Sequence, residues 1–442
     1  MNILVFSPVP SHPHFHGHRK RIFNLVKYLQ QMGHAIHFVY FNEDGLKNCD
    51  CEAMAQEWET LTLIEKTSFY DPIHGNYAFD AWYQEDIAEE VNRIIYLFDI
   101  NILWLNYIWH SKLLESLPPH ILKVIDTHDR FSDRFELYGR NGDKSYRWFS
   151  CSAEDEGRYL DRADVIVAIQ DDEAEYFRSL CSREVVTLNH IEQRYLPNKE
   201  LVSCKRIGFL GTDNVINVKS INSFLQAWYK RSKYVDSIEV VVAGDVGKNV
   251  TYAHPKLRLL GRINNLEKFY TQVDLVIVPL VFGTGLKIKS AEALAYGVPI
   301  VSTAIGFEGF GSDSKYHNAP TPYAMVDLID ALYERPEVLR KLGALTAEMF
   351  FAYQERFVKS LDTILRKRKQ GSDVLEKNRS KKMVELYREL QQCRREHQLS
   401  NRFEFSKLMA DLSVLCDIKA TKKPLEKLRA YKKLIQTYHA FK

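Results

Sequence analysis

No stretch of this 442-residue sequence approaches the roughly 20 consecutive apolar residues that a bilayer-crossing helix needs. The amino terminus, MNILVFSPVP, runs directly into a short apolar strand. It lacks the basic stretch and longer apolar core of a secretory signal, so a cytoplasmic chain is expected. Cysteine is scarce as well: seven residues stand at 49, 51, 151, 181, 204, 393 and 416. An odd number with no CxxC pair argues against a disulfide framework and against a zinc ribbon, and the thiols are read as free. Internal repeats and low-complexity tracts are missing too, which sets aside solenoid and disordered architectures.

Hydrophobic residues make up 45% of the chain, enough for full-sized cores. The length suits two domains with an appendage. Net charge is only +3, but it is unevenly placed. From residue 366 to the end, 21 Lys and Arg face 9 Asp and Glu, while the rest of the chain carries 39 basic and 48 acidic residues. A mildly acidic body excludes nucleic acid as its partner, whereas the basic tail suits an anionic surface or a protein partner.

Apolar runs alternate with helical stretches through most of the sequence. Runs at 3–6 and 36–41 flank a helix over 19–32, in which Ile22, Leu25, Val26 and Leu29 recur at helical spacing and Gly33 supplies the stop. Further runs at 102–105, 124–126, 165–169 and 185–188 are rich in Val, Ile and Leu, as buried parallel strands are. The pattern restarts with runs at 206–210, 238–243, 257–260, 275–279 and 300–302. The expected fold is α/β: two Rossmann-like doubly wound domains, at 1–203 and 204–344, joined near Pro197-Asn198-Lys199. A long helix after Gly343, at 345–365, is rich in aromatics (Phe350, Phe351, Tyr353, Phe357) that read as packing residues. Residues 366–442 read as a basic extension of three amphipathic helices.

The strongest chemical signal is VIVPLVFGTGLKIKSAEALAYGVPIVST at 276–303. A strand runs into the glycine loop Gly283-Thr284-Gly285, and a helix begins near Lys287. Such a loop lets backbone N–H groups close on phosphate oxygens at a helix amino terminus. Lys287 is poorly placed for the helix dipole, and it makes sense if an anion sits in front of it. Glu292, one and a half turns further on, is suited to accept hydrogen bonds from ribose hydroxyls. The alternating His12, His14, His16 and His18 offer no defined tetrahedral set, and no metal is expected. Their segment reads instead as a cleft loop, with His16, His18 or Arg19 facing the substrates. Asp126 and Asp129, beside His128 and Arg130, read as strand-end caps.

Residues 283–303 resemble the donor-binding segment of the retaining glycosyltransferases of family 4, which have the GT-B fold. The resemblance rests on the loop, the EAxAxG run at 292–297, the strand behind it and GFEG at 306–309. GFLG at 208–211, VVVAGDV at 240–246 and YTQVDLVIVP at 270–279 extend it, and it is looser in the first domain. It implies that Glu292 binds the donor ribose and Lys287 the pyrophosphate. The loop residues Gly283, Thr284, Gly285 and Leu286 and the Gly211-Thr212 turn would approach the phosphates. Arg262 and Ile263 would lie near the nucleobase. In the first domain Gly17 occupies the place of a glycine-rich loop, and His128, in IDTHD, resembles the histidine facing the donor sugar. Two departures stand out. The slot of a second glutamate is Thr284, and Thr212 and Asn217 stand where many members carry Arg and Lys. Lys287 would then carry the phosphate charge, helped by Lys289, Lys219 or Arg19.

The resemblance further implies transfer, with retention, from a nucleotide-diphosphate sugar to a glycan or lipid-linked acceptor, without metal or cofactor. Bacterial capsule or lipopolysaccharide assembly would be the setting, with the tail set against the inner face of the membrane, or against a protein partner. Two other readings stand beside it: a non-catalytic nucleotide-sugar or glycan-binding protein, and a sugar-nucleotide epimerase on the same fold.

Overall fold

The computed structural model describes residues 1–14, 17–42, 49–64, 79–140, 150–192, 202–263, 265–283 and 286–368. The linker read at 197–199, His16, Thr284, Gly285 and the extension from 369 onward lie outside the described residues.

The first half runs β1 (Asn2–Ser7), α1 (Gly17–Gln31), β2 (Ala35–Phe41), α2 (Cys51–Glu57), β3 (Thr60–Ile64), α3 (Glu85–Phe98) and β4 (Ile102–Asn106). It continues with β5 (Leu122–Asp126), α4 (Arg134–Arg140), α5 (Ala153–Leu160), β6 (Val165–Ala168), α6 (Asp171–Leu180) and β7 (Glu184–Thr187). These strands form one parallel seven-stranded sheet in the order β3-β2-β1-β4-β5-β6-β7. The central strands are buried on both faces, which is why they are continuous in Val, Ile and Leu. Strand β3 breaks that pattern and has no counterpart among the expected runs. It alternates Thr with Leu, and its inward Thr60 lies 2.9 Å from His37 Nδ1.

The second half consists of β8 (Arg206–Leu210), α7 (Val215–Arg231), β9 (Glu239–Ala243), β10 (Leu257–Gly261), α8 (Leu266–Tyr270), β11 (Leu275–Val278), α9 (Ile288–Ala295), β12 (Ile300–Ser302) and α10 (Pro322–Glu334). Its five strands are parallel in the order β10-β9-β8-β11-β12. In both sheets the order of strand addition reverses at a switch point, between β1 and β4 and between β8 and β11, where such folds open a crevice at the strand carboxyl ends. At that edge of the second sheet Gly244 is forced: its φ is +94°, and a Cβ would stand 2.1 Å from the Gly211 carbonyl oxygen.

The final described helix, α11 (Pro336–Arg366), starts earlier than the stretch after Gly343 that the sequence suggested. Pro336 occupies its first turn, and Leu339 and Leu342 already face the second core, so Gly343 lies within the helix. Further along, Phe350 and Tyr353 join the cluster on the other face of the second sheet, and Phe357, Leu361, Ile364 and Leu365 join the core of the first sheet. One helix thus packs against both halves. Phe351 falls off this stripe and is 58% exposed, contrary to its reading as a packing residue.

Candidate functional site

Two helices of the second half begin where β8 and β11 end. Strand β8 leads into the Gly211-Thr212 turn and then α7, whose N-cap Asn214 accepts a hydrogen bond from the Asn217 N–H. Strand β11 leads to Gly283 (φ +130°), where a Cβ would meet Ile216 of α7 at 3.3 Å. The glycine therefore lets the second loop close on the first turn of α7. Helix α9 follows, with Lys287 at its N-cap position, one residue before the helix, and Leu286 buried beside it. Two helix amino termini and their partial positive charges thus meet at one edge.

Three lysines surround this edge. Lys287 is 7% exposed and its Nζ lies 3.4 Å from Glu308. Lys289 donates to Asn217 Oδ1 at 2.6 Å and lies over the Phe209 ring at 4.7 Å. Burial, only partly offset by Glu292 and reinforced by Lys287, brings the Lys289 ammonium down to about 7. Asn217, standing where a lysine was looked for, therefore has a lysine bonded to its side chain. Lys219 lies 5.5 Å from the Phe282 ring, and Arg19 turns back toward the Pro13 carbonyl. Exposed Arg262 and half-buried Ile263 follow β10 on the same edge.

Glu292 is not open to solvent. Its Oε1 accepts from Lys20 Nζ at 2.7 Å, and its Oε2 accepts from the Tyr270 hydroxyl at 2.9 Å. Lys20 belongs to α1, so this pair crosses between the halves, and the same Nζ lies 2.8 Å from Glu192. Burial acts to lower the Lys20 pKa, but the charges of Glu292 and then Glu192 outweigh it and raise it. Burial likewise acts against the Glu192 charge, yet Lys20 and the hydrogen bond from His190 hold its carboxyl down at about 2. Gly17 contributes to the same approach: a Cβ there would meet Ile288 of α9 at 3.2 Å. Helix α11 closes the back, its Tyr353 hydroxyl accepting from the His190 N–H at 3.0 Å.

On the first sheet, His128 follows β5 in the left-handed region (φ +61°) and stacks on Tyr107 at 4.2 Å. Its Nε2 lies 2.8 Å from Asn106 Oδ1, at the end of β4. Burial is the main cause that brings its pKa down to about 3, against the opposing charge of Asp126. The imidazole is therefore neutral at ordinary pH and polar without being a cation. Asp126 is tied to Arg21 at 2.9 Å, and Asp129 to Arg134 at 3.2 Å, so both carboxylates are engaged in ion pairs within the first domain. His18 is exposed and close enough to His128 to influence its charge. His12 packs against Phe23 and Trp58, and His14 stacks on Phe23 at 4.3 Å.

The residues that the sequence did not single out are Lys20 and Tyr270, which bond Glu292, Glu192, which shares the Lys20 ammonium, and Glu173, buried at the start of α6. Only the basic run at 18–21 hinted at the first of them.

No curated protein matches the chain by sequence. Residues 204–335 match the profile of the family described as glycosyl transferases group 1. Among solved structures, the chain is similar to the sucrose-phosphate synthase of Thermosynechococcus elongatus, with 12% identity over 83% of this chain and 98% of that one, and a TM-score of 0.60. It is also similar to a glycosyltransferase of Rickettsia africae, with 13% identity over 83% of this chain and 98% of that one, TM-score 0.57. A third likeness is to the Anabaena protein HepE in complex with UDP and glucose, with 12% identity over 82% of this chain and all of that one (100%), TM-score 0.55. At such identities the structural likenesses establish architecture alone. Residues 204–335 thus match the glycosyl transferases group 1 family, within a chain of GT-B fold.

Proposed function

We propose that the chain is a glycosyltransferase that moves a sugar from a nucleotide-diphosphate donor to a glycan or lipid-linked acceptor, with retention and without a divalent metal. The observation that carries this reading is the meeting of the α7 and α9 amino termini with Lys287 and Lys289, within the family-matched segment and at the interdomain edge. Two helix termini and two ammonium groups suit a diphosphate and its developing charge as the sugar departs. Gly211, Thr212 and the loop from Gly283 to Leu286 would supply backbone donors, and Arg262 and Ile263 would flank the base. Glu292 would hold the ribose in exchange for its contact with Lys20. His128, neutral and fixed by Asn106, would orient the sugar from the opposite domain.

In a retaining reaction of this kind the acceptor hydroxyl attacks from the leaving-group side and gives its proton to a phosphate oxygen. The protein then contributes position and electrostatics, and no side chain of the chain needs to act as a base. Assembly of a bacterial surface polysaccharide is the proposed setting. The basic 366–442 segment would keep the enzyme near an anionic membrane surface bearing the acceptor. No helix among the described residues is long and apolar enough to cross a membrane.

Lys289 makes the phosphate assignment pH-dependent. In the ligand-free protein its ammonium loses its proton as pH rises through about 7, below the ordinary 10.5. A bound diphosphate favours the charged form, so binding takes up a proton above that pH. Dissociation constants should rise by up to about tenfold per pH unit between 7 and 9. In Lys289→Met the same titration, followed by calorimetry, should be nearly flat. For the free protein the sign is opposite: between about 7 and 10.5 the unfolded chain holds the extra proton, and this group's contribution to stability grows with pH.

The direct test is turnover. The full chain is incubated with UDP-glucose, GDP-mannose and ADP-glucose, with EDTA or magnesium, and released diphosphate is followed. Release from one donor, unaffected by EDTA and abolished by Glu292→Ala, is expected. A chain that binds donor and never releases diphosphate would be a binding protein instead, a reading favoured by the engagement of both Glu292 oxygens in the ligand-free state.

A further inference from the structure

Glu173 lies in the first turn of α6 and is 6% exposed, yet neither carboxylate oxygen has a hydrogen-bond partner among the described residues. Gln170, at the N-cap of the same helix, is 3% exposed, and its side-chain carbonyl oxygen is likewise unpartnered. Three buried acceptor oxygens in one helical turn therefore lack a donor among the described residues. Native proteins rarely leave such groups unmatched, and an unpaired carboxylate is the most costly of them.

Their position is informative. Helix α6 follows β6, next in the sheet to β5 and the His128–Asp129 corner. The Gln170 oxygen faces the second half so closely that a Cβ on Gly309 would stand 2.7 Å from it. The charges that act on Glu173 are Asp129, Lys287, Arg21 and Glu308. Both cations that act on it are already engaged by another carboxylate: Arg21 by Asp126 and Lys287 by Glu308. Burial and then the Asp129 charge push the Glu173 carboxyl well above the usual range. A further anion would be repelled here, and an apolar group would leave the oxygens unsatisfied. What fits is an uncharged group carrying several hydroxyls, brought to the cleft by a diphosphate at Lys287.

We infer that Glu173, with Gln170, recognises adjacent hydroxyls of the transferred sugar and selects neutral sugars over acidic ones. This rests on the nucleotide-sugar reading above. It assigns to the first domain a sugar contact that the second domain, with Thr284 in its loop, is not expected to make.

Calorimetry with three matched pairs tests it: UDP and UDP-glucose, GDP and GDP-mannose, ADP and ADP-glucose. For the pair that the wild type binds, the sugar nucleotide should bind more tightly than its diphosphate. Glu173→Ala should weaken the sugar nucleotide by about tenfold or more while leaving the diphosphate within about twofold. Glu173→Gln, which keeps one acceptor oxygen, should fall between. If UDP is the nucleotide, UDP-glucuronate should bind the wild type less well than UDP-glucose, and the gap should widen as pH rises and Glu173 ionises, a trend that Glu173→Gln should lack. Sugar-nucleotide affinity unchanged in Glu173→Ala, or diphosphate affinity falling in step with it, overturns the inference and leaves the nucleotide-sugar reading standing. So does a lower melting temperature of ligand-free Glu173→Gln, which would reveal a structural partner for the carboxylate. A wild type that binds none of the six compounds contradicts the nucleotide-sugar reading, and this inference with it.

Discussion

Lys287→Ala is expected to weaken nucleoside diphosphate binding by about 10- to 100-fold, the equivalent of losing one charge-assisted contact of roughly 1.5–3 kcal/mol. Lys287 sits at the N-cap of α9, 7% exposed, where a positive charge opposes the helix dipole. Its contact with Glu308 is long, at 3.4 Å. A cation kept in that position is best explained by an anion that arrives in front of it. The ligand-free protein should therefore unfold within about 1 kcal/mol of the wild type, since the alanine removes an unfavourable charge together with a weak ion pair. Binding lost with stability retained is the signature to look for, by calorimetry and urea unfolding on the same preparation. Unchanged binding would remove Lys287 from the phosphate site.

A larger effect on stability is expected at Arg21. Its guanidinium donates to Asp126 Oδ1 from Nε at 3.2 Å and from Nη2 at 2.9 Å, and Nη2 also reaches the Leu188 carbonyl at 3.0 Å. Arg21 is 3% exposed and Asp126 1%, so the pair ties α1, the end of β5 and the segment after β7 in a dry interior. Arg21→Met keeps most of the volume and leaves Asp126 buried without its counter-charge, which should cost about 3–5 kcal/mol in urea unfolding of the first half. The double variant Arg21→Met/Asp126→Asn should recover much of that loss, because the uncompensated charge is gone. A single variant within about 1 kcal/mol of the wild type would mean that the pair is solvated or replaceable.

The sequence disclosed those parts of the molecule whose signal is local. The strands of both sheets were legible because doubly buried parallel strands must be continuous in Val, Ile and Leu. Strand β3 was not, because at the sheet edge the buried Thr60 and Thr62 replace that run, Thr60 pairing with His37. The start of α11 was hidden by Gly343, an apparent stop that the packing of Leu339 and Leu342 overrides. The turn–loop–helix unit around Lys287 was legible, since glycine, loop and helix start are adjacent in the chain. The partners of Glu292 were not: Lys20 lies 272 positions away and meets it only once both halves are folded. Glu173 was concealed differently. In the acidic run at 171–175 it reads as one more carboxylate complementing a helix amino terminus, and only burial sets it apart from Asp171 and Asp172.

The central claim is that the edge formed by α7, α9 and Lys287 binds a nucleoside diphosphate. It is tested most directly by melting the protein in the presence of UDP, GDP, ADP, CMP and dTDP, with and without magnesium. One diphosphate should raise the melting temperature as the logarithm of its concentration over its dissociation constant, by the equivalent of about 2.7 kcal/mol at a hundredfold excess over that constant. The shift should persist without magnesium and vanish in Lys287→Ala. No shift with any of the nucleotides, or one that Lys287→Ala leaves intact, would contradict the account.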